Sequence, residues 1–263
     1  METIDGRVVV VTGAARGIGR GHALEFAREG YRVVVNDLGS AVDGTGSSGG
    51  PAGDVVEEIR AMGGEAIANG DDVADWDGAE HLIGSAIEHF GQLDVLVNNA
   101  GTSAQHPPLT SSYEEWQAAW ARILAVNLVA AANATFRAVP HLIAAGGGAV
   151  VNVSSRGAFR GEPGMPAYGA SKAGLNAFAQ SMALALAPHG ISVTCVAPGF
   201  VQTEMAREVL DGPGGDAVRA QSPFGRIARP EEVASAVVWL AEPAARFSSG
   251  TIVDVNGASY LRS

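Results

Sequence analysis

Seven short, almost unbroken apolar runs, each followed by a stretch of different periodicity, constrain this chain more than any other feature. They are Arg7–Val11, Arg32–Asn36, Glu65–Asn69, Leu93–Asn98, Ala149–Val153, Ile191–Val196 and Thr251–Val255. A strand with one wet face alternates apolar and polar residues. Strands that are apolar at nearly every position need cover on both sides, as in a parallel sheet wrapped by helices. Candidate helices fall between the runs, near 17–29, 54–62, 75–90, 113–137, 166–188 and 231–241. The alternation predicts an α/β chain with a doubly wound, seven-stranded parallel sheet flanked by helices on both faces. No composition break marks a linker, so one domain over residues 1–263 is expected. Two stretches depart from the pattern. Gly39–Gly53 is rich in Gly and Ser and reads as a mobile insertion loop. Phe200–Arg226, broken by Gly212-Pro213-Gly214-Gly215, reads as a flap.

Composition narrows the partners. A net charge of −11 and the absence of any basic run argue against nucleic acid and anionic membranes. The single Cys195 allows neither an internal disulfide nor a cysteine metal cluster, and no metal is expected. The first residues lead into a strand pattern without the shape of a signal peptide, and no apolar run approaches the roughly 20 residues of a membrane helix. The expectation is a cytoplasmic protein acting on a small molecule.

The first strand runs into Thr12-Gly13-Ala14-Ala15-Arg16-Gly17-Ile18-Gly19, followed by a helix. Glycines at a strand-to-helix turn let the backbone approach a pyrophosphate, and the helix N-terminus supplies N–H groups and positive dipole. Gly13, Arg16, Gly17, Ile18 and Gly19 are therefore candidate dinucleotide contacts. Asp37 ends the second strand, where a carboxylate can accept from both ribose hydroxyls and repels a 2′-phosphate. That favours NAD over NADP, although Arg16 could pair with such a phosphate. Asp72 and Val73 follow the third strand and could hold the adenine, or Asp72 could serve the next helix start. Asn98-Asn99-Ala100-Gly101 ends the fourth strand at the edge where open α/β sheets bind ligands.

Lys172 is the only lysine, and it stands four residues after Tyr168 in Tyr168-Gly-Ala-Ser-Lys172. In a helix these positions share a face. A positive charge beside a phenol lowers its pKa from near 10 towards neutrality, which makes a general acid/base.

Together, Thr12…Gly19, Asn98–Gly101, Asn127, Ser155, Tyr168/Lys172 and Pro198-Gly199 resemble the short-chain dehydrogenase/reductase family. The resemblance extends to Arg226-Ile-Ala-Arg-Pro-Glu-Glu-Val and to Asn256-Gly257. It implies a Rossmann-type fold in which Tyr168 is the acid/base and Lys172 lowers its pKa and holds the nicotinamide ribose. It also implies that Ser155, rather than the adjacent Ser154, bonds the substrate oxygen, and that Asn127 anchors a water in a proton relay. Asn99, Ala100, Gly101, Pro198, Gly199, Val201 and Thr203 would complete the cofactor site. Thr194 stands where the family often has Asn and reads as a structural variant. The insertion after Asp37 gives a weaker likeness to hydroxyacyl-CoA dehydrogenase domains.

The resulting expectation is hydride transfer between NAD(H) and a secondary alcohol or ketone of a mid-sized, largely hydrophobic substrate. The alternatives are an NADPH-linked 3-oxoacyl reductase and a non-catalytic nicotinamide-binding regulator. Arg156 and Arg160 could meet an acidic substrate, or be solvated or paired with Glu162. His106 is expected at the surface. The helices 113–137 and 166–188 are apolar around more than one face, which predicts burial against partner subunits in a homotetramer.

Overall fold

The structure, a computed structural model, describes residues 6–39 and 50–262. The expected architecture is present. The strands are β1 (Val8–Thr12), β2 (Arg32–Asn36), β3 (Ala66–Asn69), β4 (Val95–Asn98), β5 (Gly148–Val153), β6 (Ile191–Pro198) and β7 (Ile252–Val255). They form one sheet in the order β3-β2-β1-β4-β5-β6-β7, and every pairing is parallel.

The uniform apolarity of the strands has a direct cause. Successive side chains point to opposite faces, and in the central strands both faces are dry, while the edge strands β3 and β7 are partly exposed. Val9 and Val11 of β1 enter one core, beneath α1 (Gly17–Arg28), α2 (Gly50–Ala61) and α9 (Pro230–Ala241). Val8 and Val10 enter the other, beneath α3 (Trp76–Phe90), α5 (Ala130–Ala144) and α6 (Pro166–Leu186). The carboxyl ends of β2 to β5 each carry an Asn. Asn36 donates to Asn69 at 2.8 Å, Asn98 to Asn152 at 3.0 Å, and Asn152 to the Thr194 carbonyl at 3.2 Å. These bonds satisfy polar groups where the sheet meets the ligand-binding edge.

Several elements differ from expectation. The helix placed at 54–62 begins at Gly50, so Gly50–Gly53 is not loop; the remainder of the Gly/Ser-rich insertion, 40–49, lies outside the described residues. β6 runs on to Pro198 because β7 continues to pair with it, Pro198 opposite Val255. The helix at 113–137 is longer. It consists of α4 (Tyr113–Leu124), a π-helical segment at Ala125–Val129, and α5. At 32 residues it is long and apolar enough to cross a membrane on length and composition alone. Here Ala130, Ala134, Ala138 and Leu142 pack into the core against the sheet. The Phe200–Arg226 stretch holds two short helices, α7 (Glu204–Asp211) and α8 (Gly215–Arg219), separated at Gly212-Pro213-Gly214.

Leu96 is fully buried in the core under α5 and α6. Replacing it with Ala should cost about 2–5 kcal/mol, through lost transfer energy and the cavity left behind. Denaturant unfolding checks this, with a lower midpoint and unchanged slope expected.

Candidate active site

A cavity of about 480 Å³ opens along the carboxyl edge of the sheet. It sits where strand order reverses between β1 and β4, so that their helices leave in opposite directions. One end is built by the Gly-rich turn. A Cβ on Gly19 would collide with the Gly13 carbonyl oxygen, so only glycine lets α1 start this close to β1. No side chain caps the N-terminus of α1 and no acid lies in its first turn. α3 and α4, by contrast, are capped by Asp75 and Ser112. An uncapped helix start facing a cavity leaves N–H donors and positive dipole for an anion. The residues therefore fit a dinucleotide pyrophosphate.

Asp37 lines the cavity beside this turn, its carboxylate accepting from Ala15 N at 3.1 Å and Gly39 N at 2.9 Å. Arg16, Gly17 and Ile18 line the same end. Asp72 and Val73 form the adjoining wall. The Asp72 carboxylate bonds Ala74 N at 2.9 Å, while Asp75 caps α3. Asn99, Ala100 and Gly101 form the floor. Pro198, Gly199 and Thr203 close the far side, and Thr203 also caps α7. Val201 is the exception. It does not line the cavity; its side chain is buried in the core and its backbone bridges to Ala228.

α6 puts Tyr168 and Lys172 on one face, as expected. Both line the cavity with Ser155. The Lys172 ammonium donates to the Val153 carbonyl at 2.8 Å and lies 5.9 Å from the centre of the Tyr168 ring. Burial pulls it from 10.5 to about 8. The Tyr168 phenol departs from expectation. Burial pushes its pKa above the ordinary value, opposed by a hydrogen bond from Ser155 and reinforced by the charge of Glu162. Loss of solvent is the largest of these effects. The two adjacent serines have different surroundings. Both line the cavity; Ser154 is the buried one and its Oγ donates to the Lys172 carbonyl at 3.4 Å, whereas Ser155 Oγ accepts from Gly157 N at 3.0 Å and bonds the Tyr168 phenol.

Asn127 sits in the π-helical segment, which turns it inward; such bulges recur at functional sites. Its carboxamide accepts from Thr102 N at 2.8 Å and donates to the Thr102 carbonyl at 3.0 Å and Ser171 Oγ at 3.1 Å. It stands behind the cavity wall rather than in it. A Cβ on Gly101 would lie 3.4 Å from the Lys172 nitrogen and 3.5 Å from Asn127 Oδ1, so that glycine keeps the space between them open.

Three further residues belong to the site. Ser171 links Asn127 to the Tyr168 carbonyl at 2.7 Å. Its place three residues after Tyr168, on the same helical face, is a usable sequence signal. His106 is buried, contrary to expectation. Its Nδ1 bonds the Ala104 carbonyl at 2.8 Å, and its Nε2 accepts from Ala167 N at 3.1 Å. It thus caps the catalytic helix from another loop. The signal was indirect: α6 starts after Met165 with no side-chain cap of its own. Arg156 is also buried, whereas Arg160 pairs with Glu162 at 3.6 Å as expected. Among the described residues the buried Thr194 hydroxyl has no hydrogen-bond partner.

Comparison with known proteins agrees with this geometry. A family profile described as enoyl-(acyl carrier protein) reductase matches residues 13–258. The 3-oxoacyl-[acyl-carrier-protein] reductase FabG of Staphylococcus aureus is 36% identical over 252 residues, covering 96% of this chain and 97% of its own. Cis-4-hydroxycyclohexanecarboxylate dehydrogenase of Sinomonas cyclohexanicum is 39% identical over 251 residues, 95% of each chain. The solved structure of 7α-hydroxysteroid dehydrogenase with NADH and 7-oxo glycochenodeoxycholic acid superposes with a TM-score of 0.87 at 30% identity, covering 97% of this chain and 94% of that one. The chain belongs to the short-chain dehydrogenase/reductase family. It is an oxidoreductase that uses a nicotinamide dinucleotide to interconvert alcohols and ketones.

The buried Lys172 has a consequence for stability. Unfolded, it holds its proton up to about pH 10.5; folded, only up to about 8. Between these values the unfolded chain binds more protons, so stability rises with pH. Cys195 opposes this from about pH 9, where the unfolded thiol ionises while the folded one, pushed up to about 12 by burial, does not. Stability should therefore climb from pH 8 to about pH 9 and then stop climbing. Lys172→Met should lose the climb, as denaturation across that range would reveal.

Proposed function

We propose that Tyr168 is the general acid/base of an NAD-dependent alcohol dehydrogenase or ketone reductase. The single observation that carries the reading is the convergence of Tyr168, Lys172 and Ser155 on one cavity wall. A nicotinamide held by the cavity residues would supply hydride exchange at the carbon that bears the substrate oxygen. Tyr168 takes or gives the proton at that oxygen, and Ser155 donates a hydrogen bond to it. Lys172, its charge near the phenol, favours the phenolate, and a cationic cofactor would add to that effect and offset the cost of burial. Asn127, held by Thr102 and Ser171, faces the slot beside Gly101 and supports a water there. That water would pass a proton between Lys172 and solvent.

Tyr168→Phe should lower kcat by 10²–10⁴ while leaving nicotinamide binding largely intact. Steady-state kinetics with a fluorescence titration of NADH would measure both, and activity within about threefold of the parent would rule out the assignment.

The preference for NAD rests on Asp37, whose carboxylate is held at the end of β2 by two backbone N–H groups and would repel a 2′-phosphate. The runner-up, an NADPH-linked 3-oxoacyl-thioester reductase, draws on the Staphylococcus aureus relative and on Arg16 at the same end of the cavity. NAD(H) should exceed NADP(H) by at least about tenfold in kcat/KM, about 1.4 kcal/mol. Asp37→Ser should narrow that ratio. An unmutated protein preferring NADPH would favour the runner-up.

We also propose a homotetramer. Val129, Phe136 and Ile143, spaced seven apart along one helix face, are 45%, 63% and 41% exposed, and Leu184 on α6 is 83% exposed. Trp239 and Phe247 lie bare at a second place, by α9 and the turn after it. Exposed apolar area of this kind marks an interface. Light scattering at micromolar concentration should give about four times the 26.8 kDa chain mass. A monomer would refute the assembly.

A further inference from the structure

A second cavity, of about 310 Å³, lies between the flap, the start of α9 and the segment after β7. Arg156 lines it and is only 5% exposed. Its guanidinium stacks on Phe200, with 5.0 Å between the guanidinium carbon and the ring centre. It donates to Ser259 Oγ at 2.7 Å and Gln221 Oε1 at 2.6 Å. All three partners are neutral. The other charges around it are committed elsewhere: Glu162 to Arg160, Glu232 to Arg226 at 2.7 Å, and Asp254 to Arg262 at 2.7 Å. Among the described residues no carboxylate lies within 4 Å of Arg156. Burial and the charge of Arg160 disfavour the Arg156 guanidinium, and Glu162, itself paired with Arg160, favours it from beyond ion-pair distance. A buried charge without a direct counterion is costly, and holding the flap to the tail needs only neutral hydrogen bonds. An anion would remove the cost, and the planar guanidinium fork matches a carboxylate. Phe200, Val218, Phe224, Ile227 and Val255 supply apolar lining, beside polar and charged groups that include Glu232 and Asp254, each already paired to an arginine.

The two cavities share a wall. Ser155 and Gly199 face the cofactor cavity, and the residues that follow them, Arg156 and Phe200, face the second. We infer that this second cavity binds the carboxylate of an apolar organic acid through Arg156, and that the acid is the far end of the substrate. The second half of that inference rests on the reading of the active site given above.

Calorimetric titration of the intact protein with benzoate and with benzamide, equal in size and different in charge, tests the binding half without turnover. Benzoate should bind at least about tenfold more tightly, in line with a charge-assisted hydrogen bond. Arg156→Met should abolish the difference and Arg156→Lys should keep part of it. Val218→Trp, which fills the cavity and leaves the charge, should block benzoate, and guards against a failure of Arg156→Met to fold. Equal binding of the two probes, or a difference that survives Arg156→Met, would overturn the site. The substrate half is read from kcat/KM for a carboxylated secondary alcohol against its methyl ester. The acid should be preferred, and that ratio should fall at least about tenfold in Arg156→Met. Benzoate inhibition that is not competitive with the alcohol would overturn the substrate half alone. A loss of all dehydrogenase activity in the parent would instead refute the active-site reading and leave the benzoate result intact.

Discussion

Thr12 holds together the two strands whose divergence creates the site. Its hydroxyl accepts from Asn99 N at 3.0 Å and Ala100 N at 2.9 Å, and the Asn99 carboxamide returns to the Thr12 and Gly13 carbonyls at 2.8 and 3.0 Å. These bonds lock the end of β4 to the turn after β1, where the chain would otherwise open a seam. Asn99 therefore acts on the cofactor turn first as a structural pin. With the seam closed, the Gly-rich turn is held open toward the cavity and Gly101 is set beside Lys172.

The same edge shows how a reactive group is kept in an adverse environment. Lys172 is buried, tied to the Val153 carbonyl and shifted to about 8. The fold bears that cost because α6 is anchored at both levels. Ser154 bonds its backbone at Lys172, and His106 caps its first turn. A helix fixed in this way keeps Tyr168 and Lys172 in one orientation, with Ser155 bonded to the phenol.

Arg156 connects this machinery to the outer wall. It leaves the loop that carries Ser155 and reaches both the flap, at Gln221, and the tail, at Ser259. Tyr260 adds a bond from its hydroxyl to the Phe159 carbonyl at 3.0 Å. The flap and the chain end are thus built onto the loop that carries Ser155.

The sequence alone determined the parallel sheet with its alternation of strands and helices, the Gly-rich turn with Asp37 at the next strand end, and the placing of Tyr168 and Lys172 on one helix face. Each depends on local periodicity or on spacing within one element: apolar runs of strand length, a glycine turn between strand and helix, residues four apart on one face. Tertiary structure decided what depends on segments distant in the chain. His106 was expected at the surface because nothing near it in sequence shows that Ala167, 61 positions away, needs an acceptor. Arg156 was expected in solvent or beside Glu162 because its partners lie 65 and 103 positions off. Val201 sits in a plausible cofactor segment, yet its bridge to Ala228 turns it into the core. The Tyr168 phenol was expected to shift down on account of one neighbouring charge, and it shifts up because burial, a property of the whole fold, is the largest effect on it.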